Sequence, residues 1–449
     1  MGKYFGTDGF RGEAGVTLTA DHAYRIGRFL GYHFSKNGTK SVRVVIGKDT
    51  RRSSYMLEYA IASGLAATGA DVYLLHVTTT PCVSYVVSSE DFDCGVMISA
   101  SHNPFFDNGI KLVNRHGEKM DDETIALIEA YLDSEDRALP YAVGERIGKV
   151  IDHTAGRNRY LGYLIAVSQH SLRSYRIGLD CANGSSWMLA KAVFDALGAY
   201  TEVIHASPDG LNINRNAGST HIESLCELVR ERRLDIGFAF DGDADRCLAV
   251  DEHGQVINGD HVLYILANRL KARGELSGNT VVTTVMSNLG LYRALESAGI
   301  DSVQTRVGDR YIWECMREHG YCLGGEQSGH TIVSKYATTG DGILTAILLM
   351  EAVIEGRAPL SQLASAVRML PQVTVNVRVS DKERAVNDSA VKRALEAVRT
   401  TLEDRGRVLL RQSGTEPVLR VMVEAPTETE CQQLAESVAD VIRSLEKTV

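Results

Sequence analysis

Three stretches of this sequence repeat one order of signals: a β-rich run, an amphipathic helix, a small residue followed by Gly, and a second β-rich run. The first leads from Arg43-Val-Val-Ile-Gly47 past Gly69 to Val72-Tyr-Leu-Leu75. The second leads from Arg176-Ile-Gly-Leu-Asp180 past Gly198 to Thr201-Glu-Val-Ile204, and the third from Thr280-Val-Val-Thr-Thr284 past Gly299 to Ser302-Val-Gln-Thr305. Each Gly stands where a helix C-terminus needs a left-handed residue. Strand–helix–strand order implies α/β layers with mixed, largely parallel sheets. A period of about a hundred residues is too long for a solenoid, so three related α/β domains are expected around one cleft. From about Pro371 the pattern changes to a strand over 373–379, one helix over 385–404, strands over 408–411 and 418–423, and a final helix over 428–445. That is an α+β domain, and Pro371 reads as the end of the preceding helix. The expected domains are 1–152, 153–254, 255–369 and 370–449.

The chain has 449 residues with 48 Lys+Arg against 57 Asp+Glu, a formal net charge of −9. This argues against nucleic acid or an anionic membrane as a general partner. The eight Cys form no Cys-x-x-Cys pair and read as reduced thiols. The first six residues lack an apolar signal core, and the longest apolar run, 343–350, is too short to span a bilayer. A cytoplasmic protein is expected.

After each repeat, the next β-rich run ends in a polar loop, where ligands collect in open α/β sheets. Asp241-Gly-Asp-Ala-Asp-Arg246 places three carboxylates at alternate positions behind the apolar Ile236-Gly-Phe-Ala-Phe240. Their repulsion favours a cation among them, and all-oxygen ligands suit a hard ion such as Mg2+. A solvated acidic turn is the plainer alternative. An EF-hand loop is a poor match, because Arg246 stands where that loop needs Gly and a strand precedes it. A haloacid-type phosphatase loop is weakened by Asp245.

Ser99-Ala-Ser-His-Asn-Pro104 offers a hydroxyl and an imidazole, yet alone it is a weak signal that reads more plainly as a capping turn. Gly324-Gly-Glu-Gln-Ser-Gly-His330 flanks a carboxylate, a hydroxyl and an imidazole with glycines, either to contact sugar hydroxyls or simply to turn. Arg411-Gln-Ser-Gly-Thr-Glu-Pro-Val-Leu-Arg420 is a hairpin turn or a dianion site. Phe5-Gly-Thr-Asp-Gly-Phe-Arg-Gly12 carries Arg11 on a flexible loop.

Together and in this order, these loops resemble the signature of the α-D-phosphohexomutase family over nearly the whole chain. Asn108-Gly-Ile-Lys111, Val307-Gly-Asp-Arg310 and Gln327 are most similar to the bacterial branch acting on glucosamine phosphates. Relatives acting on glucose or mannose phosphates more often carry Met in place of Gln327. Phe10 stands where this branch usually has Ile, a change of packing.

The resemblance implies interconversion of glucosamine 6-phosphate and glucosamine 1-phosphate, feeding UDP-N-acetylglucosamine synthesis. It makes Ser101 the phosphoserine, which with Asp241, Asp243 and Asp245 holds one Mg2+ per chain. Arg11, Lys111 and Arg246 offset phosphoryl charge, and His102 adjoins the nucleophile. Lys111 and His330 are both candidates for moving the proton. Arg306, Glu326 and Ser328 belong to sugar binding, while Arg411, Ser413, Gly414, Thr415 and Arg420 bind the phosphate not being transferred. Glucose or glucosamine 1,6-bisphosphate is the candidate primer, and the resemblance allows a homodimer. The alternatives are the same mechanism on glucose or mannose phosphates, and a non-enzymatic divalent-ion module.

Overall fold

A computed structural model describes residues 2–35, 41–134, 139–413 and 417–447. The chain divides into two compact units, Met1–Met286 with Ile300–Ser365, and Ser287–Gly299 with Ala366–Val449.

The first unit contains three sheets that share one strand order. In the first sheet the sequence of neighbours is Asp71–Val77, Arg43–Lys48, Cys94–Ile98, Asp107–Asn114, the first three parallel and the last antiparallel. The second repeats this as Tyr200–Ile204, Arg176–Asp180, Ile236–Phe240, Cys247–Val250. The third repeats it as Asp301–Thr305, Thr280–Thr284, Leu323–Gly325, Thr331–Val333. The expected repeats are therefore parallel strand pairs. Gly69, Gly198 and Gly299 have φ of +92°, +93° and +62°, so each takes the left-handed exit its position requires. Cys94–Ile98 and Ile236–Phe240 are buried along their whole length, as strands covered on both faces must be.

The first sheet also gains Gly9–Glu13, paired with Asp107–Asn114. Arg11 thus lies on a strand, correcting the flexible loop expected for it: the backbone of Phe5–Glu13 is tied into a ladder and clamped by Glu129, which accepts from the amides of Lys3, Tyr4 and Phe5 at 3.0, 2.7 and 2.8 Å.

The second unit has an antiparallel sheet ordered Gln372–Arg378, Val418–Glu424, Arg407–Gln412. The alternation over 373–379 buries Val375 and Val377 and leaves Asn376 outward, as a half-covered sheet demands. Where one helix was expected over 385–404 there are two, Lys382–Asn387 and Ser389–Leu402. Asp388 interrupts them by adopting extended backbone and capping the second through the amides of Ala390 and Val391 at 2.7 and 3.4 Å. Pro371 ends no helix; the preceding one stops at Ala364, and the Pro371 carbonyl instead accepts from the amide of Ala425. Helix Leu289–Ser297 also belongs to this unit, its first amide donating to buried Glu424 at 2.9 Å. Among the described residues, no helix is long and apolar enough to cross a membrane.

Candidate active site

The three equivalent strands Cys94–Ile98, Ile236–Phe240 and Leu323–Gly325 release their loops into one region of the first unit. Ser101 is buried and has φ of +52°, a left-handed conformation that costs a residue with a side chain roughly 1–3 kcal/mol. Its amide donates to Ser99 Oγ at 3.0 Å, and its hydroxyl donates to Asp241 Oδ2 at 2.5 Å. Gly242 makes this approach possible, because a Cβ there would lie 2.5 Å from the Ser101 carbonyl oxygen.

Asp241, Asp243 and Asp245 are buried, each offering a carboxylate oxygen within 4.8 Å of the others. Burial and the two neighbouring carboxylates hold Asp241 well above the usual carboxylate range. One oxygen of Asp243 and one of Asp245 are buried without a hydrogen-bond partner among the described residues. Unpaired buried carboxylate oxygens are costly, and a hard divalent cation satisfies them. The donor set fits the ion that the acidic loop predicted.

Cationic side chains surround the triad. Lys111 Nζ lies 2.7 Å from Asp243, 3.2 Å from Asp245 and 3.2 Å from Asp8. Burial opposes its charge, but those carboxylates raise it well above the ordinary lysine value. Burial likewise opposes the charge of Asp8, which Lys111, Lys119 and Arg11 nevertheless hold well below the usual range. Arg11 pairs with Asp8, and Lys119 bridges Asp8 and Asp309 at 2.9 and 2.7 Å.

Arg246 donates to His102 Nδ1 at 3.2 Å. Burial, Arg246 and Arg11 lower His102 to about 4, so this ring is neutral and its Nδ1 is occupied. His330 approaches Asp245 at 3.8 Å and Asp309 at 3.5 Å. Burial opposes its charge, yet Asp245 and Asp309 outweigh this and lift it to about 9. The Gly340 amide, donating to Nε2 at 3.0 Å, favours a ring with its proton on Nδ1 instead. The hydrogen bond and the charges thus pull His330 in opposite directions.

In the glycine-flanked loop after Leu323–Gly325, Glu326 accepts from the Gly308 amide at 3.1 Å and from Ser328 Oγ at 3.3 Å. A cavity of about 460 Å³ is lined by Thr7, Asp8, Lys111, Lys119, Arg306 and Arg310. Arg306 lies over the Tyr311 ring at 4.2 Å. In the second unit, Arg411 and Arg420 are direct cross-strand partners. Burial and Arg420 lower Arg411 from its ordinary value. Ser413 lies beside them, its carbonyl accepting from Lys382 at 2.8 Å; Gly414 and Thr415 lie outside the described residues.

The first unit thus brings together Ser101, Arg11, His102, Lys111, Arg246, His330 and the acidic triad. Sequence reasoning missed Asp8, Lys119 and Asp309 in this region, and Arg51 and Asn214 behind the Ser101 loop. Asp8 and Asp309 sat inside motifs already singled out, whereas Lys119 and Asn214 carried no local signal.

Comparisons with known proteins agree with this architecture. Residues 2–139, 158–254 and 258–369 match the models of phosphoglucomutase/phosphomannomutase alpha/beta/alpha domains I, II and III, and residues 375–441 match that of the C-terminal domain. A phosphoglucosamine mutase of Lachnospira eligens is 62% identical over 445 residues, covering 99% of each chain. One of Streptococcus pneumoniae is 49% identical over 446 residues, again 99% of each. The fold resembles that of a Burkholderia thailandensis phosphoglucomutase/phosphomannomutase family protein, with a TM-score of 0.79 at 23% identity over 99% of this chain and 98% of that one. With a serine on a strained turn, an acidic triad and all four domain matches along its length, the chain belongs to the phosphoglucomutase/phosphomannomutase family.

Proposed function

We propose that this chain interconverts glucosamine 6-phosphate and glucosamine 1-phosphate, with Ser101 as the phosphoryl carrier. The observation that carries the reading is the Ser101 hydroxyl held on Asp241, beside two unpaired buried carboxylate oxygens and within a ring of cationic side chains. The choice of amino sugar is supported by the names of the relatives at 62% and 49% identity.

Asp241, Asp243 and Asp245 would hold Mg2+ with a Ser101 oxygen, and the ion would supply charge neutralisation at the phosphoryl group. Arg11, Lys111 and Arg246 orient the phosphoryl oxygens and offset their charge, the main requirement of phosphoryl transfer. The Ser101 Oγ–P bond breaks as a bond forms from phosphorus to the free sugar hydroxyl, giving a 1,6-bisphosphate. The hydroxyl proton passes to a nearby base. His102 Nδ1 accepts from Arg246 at 3.2 Å and lies 3.4 Å from Ser101 Oγ, which supports a place for it beside the nucleophile. Lys111 and His330 are the candidate bases, and Lys111 must first lose the proton that three carboxylates stabilise. Glu326 and Ser328 hold sugar hydroxyls while the bisphosphate turns, and the other phosphoryl group then returns to Ser101. Arg411, Ser413 and Arg420 bind a phosphate that is not transferred.

Phosphopeptide mapping should find phosphate on Ser101, and Ser101→Ala should abolish mutase activity. A panel of glucosamine, glucose and mannose 6-phosphates should give the highest kcat/KM with glucosamine 6-phosphate. Full activity in Ser101→Ala would refute the carrier role, and a higher kcat/KM with glucose or mannose 6-phosphate would reassign the substrate.

A further inference from the structure

The carbonyl oxygens of Ser101 and Asn103 share the same two donors. Arg51 donates to them at 3.1 and 2.6 Å, and the Asn214 side-chain amide donates to them at 2.8 and 3.0 Å. Arg51 is completely buried and is held by Asp49, which accepts from its guanidinium and, at 2.9 Å, from its backbone amide. Asp49 is fixed in turn by Ser54 Oγ at 2.8 Å. Arg51 also donates to Ser99 Oγ at 3.4 Å, the same oxygen that accepts the Ser101 amide. Asn214 is anchored through its own amide, which donates to the Ala182 carbonyl at 2.8 Å.

The bonds that Arg51 and Asn214 make to this loop go to its backbone carbonyls, not to the carboxylates of the acidic triad. Both grip the backbone on either side of His102, in the segment where Ser101 holds its left-handed φ of +52°. A serine in that conformation persists only where its surroundings over-determine it. Relaxed to negative φ, Ser101 would swing its Cβ and carry Oγ away from Asp241. One brace comes from the start of helix Arg52–Ala66 and the other from the second repeat, so the nucleophile is fixed against both domains that meet at it.

We propose that Arg51 and Asn214 are positioning residues that keep Ser101 in its strained conformation and its hydroxyl on the acidic triad. This rests on the reading of Ser101 as the phosphoryl carrier. Arg51→Lys keeps the charge but loses the planar fork that spans two carbonyls. Asn214→Ala removes the second donor, and each carbonyl keeps Arg51.

The test uses the full chain with Mg2+. It compares wild type, Arg51→Lys and Asn214→Ala for kcat and KM on glucosamine 6-phosphate, for the rate at which dephosphorylated Ser101 takes a phosphoryl group from glucose 1,6-bisphosphate, and for melting temperature. Misplacing a reacting atom by an ångström costs about 100-fold, and that is the loss expected in kcat and in the phosphorylation rate. KM should stay within about twofold, because binding groups are untouched. Asn214→Ala should melt within a few degrees of wild type. A purely structural role would instead lower kcat only in proportion to the unfolded fraction. Rates in folded Asn214→Ala within about twofold of wild type would overturn the proposal, whatever Arg51→Lys does. A wild-type enzyme that takes no phosphoryl group on Ser101 would overturn the functional reading and this inference with it; a competent wild type matched by its variants would overturn this inference alone.

Discussion

Arg411 and Arg420 face each other across adjacent strands, so two like charges sit together where an anion would be attracted. The lowered pKa of Arg411, caused by burial and by Arg420, records that tension. Arg420→Ala should raise KM for the sugar phosphate. Loss of one charge-assisted hydrogen bond, about 1.5–3 kcal/mol, corresponds to roughly 10- to 150-fold. Steady-state kinetics on the variant check this. The acidic triad carries the opposite tension. Mg2+ added to metal-free protein should raise the melting temperature, by about 2.7 kcal/mol of stabilisation at a hundredfold excess over Kd. Asp243→Asn should remove most of that rise, and chelation should abolish turnover. A melting point insensitive to Mg2+ would contradict the assignment. The triad and Ser101 were legible because local motifs directly after strand ends carry their chemistry. Asn214 was not, because its amide matters only through carbonyls it reaches 113 and 111 positions away. Lys119 was equally silent, its partners Asp8 and Asp309 lying 111 and 190 positions off.

Helix Gly342–Gly356 shows how an element can support the site without contributing a ligand. It is buried nearly throughout, and its first amide donates to the Ala244 carbonyl in the acidic loop at 2.9 Å. Asp341 caps it, accepting from the Leu344 amide at 3.0 Å and from the Tyr160 hydroxyl at 2.7 Å. Burial nevertheless pushes Asp341 up to about 6, against the pull of those donors. The folded state therefore holds a proton that the unfolded chain releases at the ordinary aspartate value near 3.8. Between those two values, this group makes the protein more stable as pH falls. Asp341→Asn keeps a capping oxygen without the charge, so it should gain stability over wild type by about 1–3 kcal/mol above pH 7 and lose that advantage near pH 4. Urea melts of both proteins across that range check the sign. A difference independent of pH would show that the cap, not its ionisation, governs the helix. The expected elements that failed did so for comparable reasons. The apolar period continues through Asp388, but its side chain stabilises more as a cap than inside a turn.

At the scale of the whole molecule, the repeated strand–helix–Gly–strand order was the most informative feature, because it specifies both parallel pairing and the strand ends from which loops leave. It could not reveal that helix Leu289–Ser297, formally the crossover of the third repeat, is bonded to the C-terminal strands through Glu424 and Asn288. Periodicity identifies a helix's apolar face but not the surface that covers it. In the proposed function the repeated loops act together: Ser101 would give a phosphoryl group to a sugar phosphate and receive a different one back. Single turnover with labelled phosphate on Ser101 tests this most directly. When the labelled enzyme meets glucosamine 6-phosphate, the label should pass through a 1,6-bisphosphate and finish on glucosamine 1-phosphate, leaving unlabelled phosphate on Ser101. Label that stays on the protein, or leaves it as inorganic phosphate while glucosamine 1-phosphate forms unlabelled, would contradict the account.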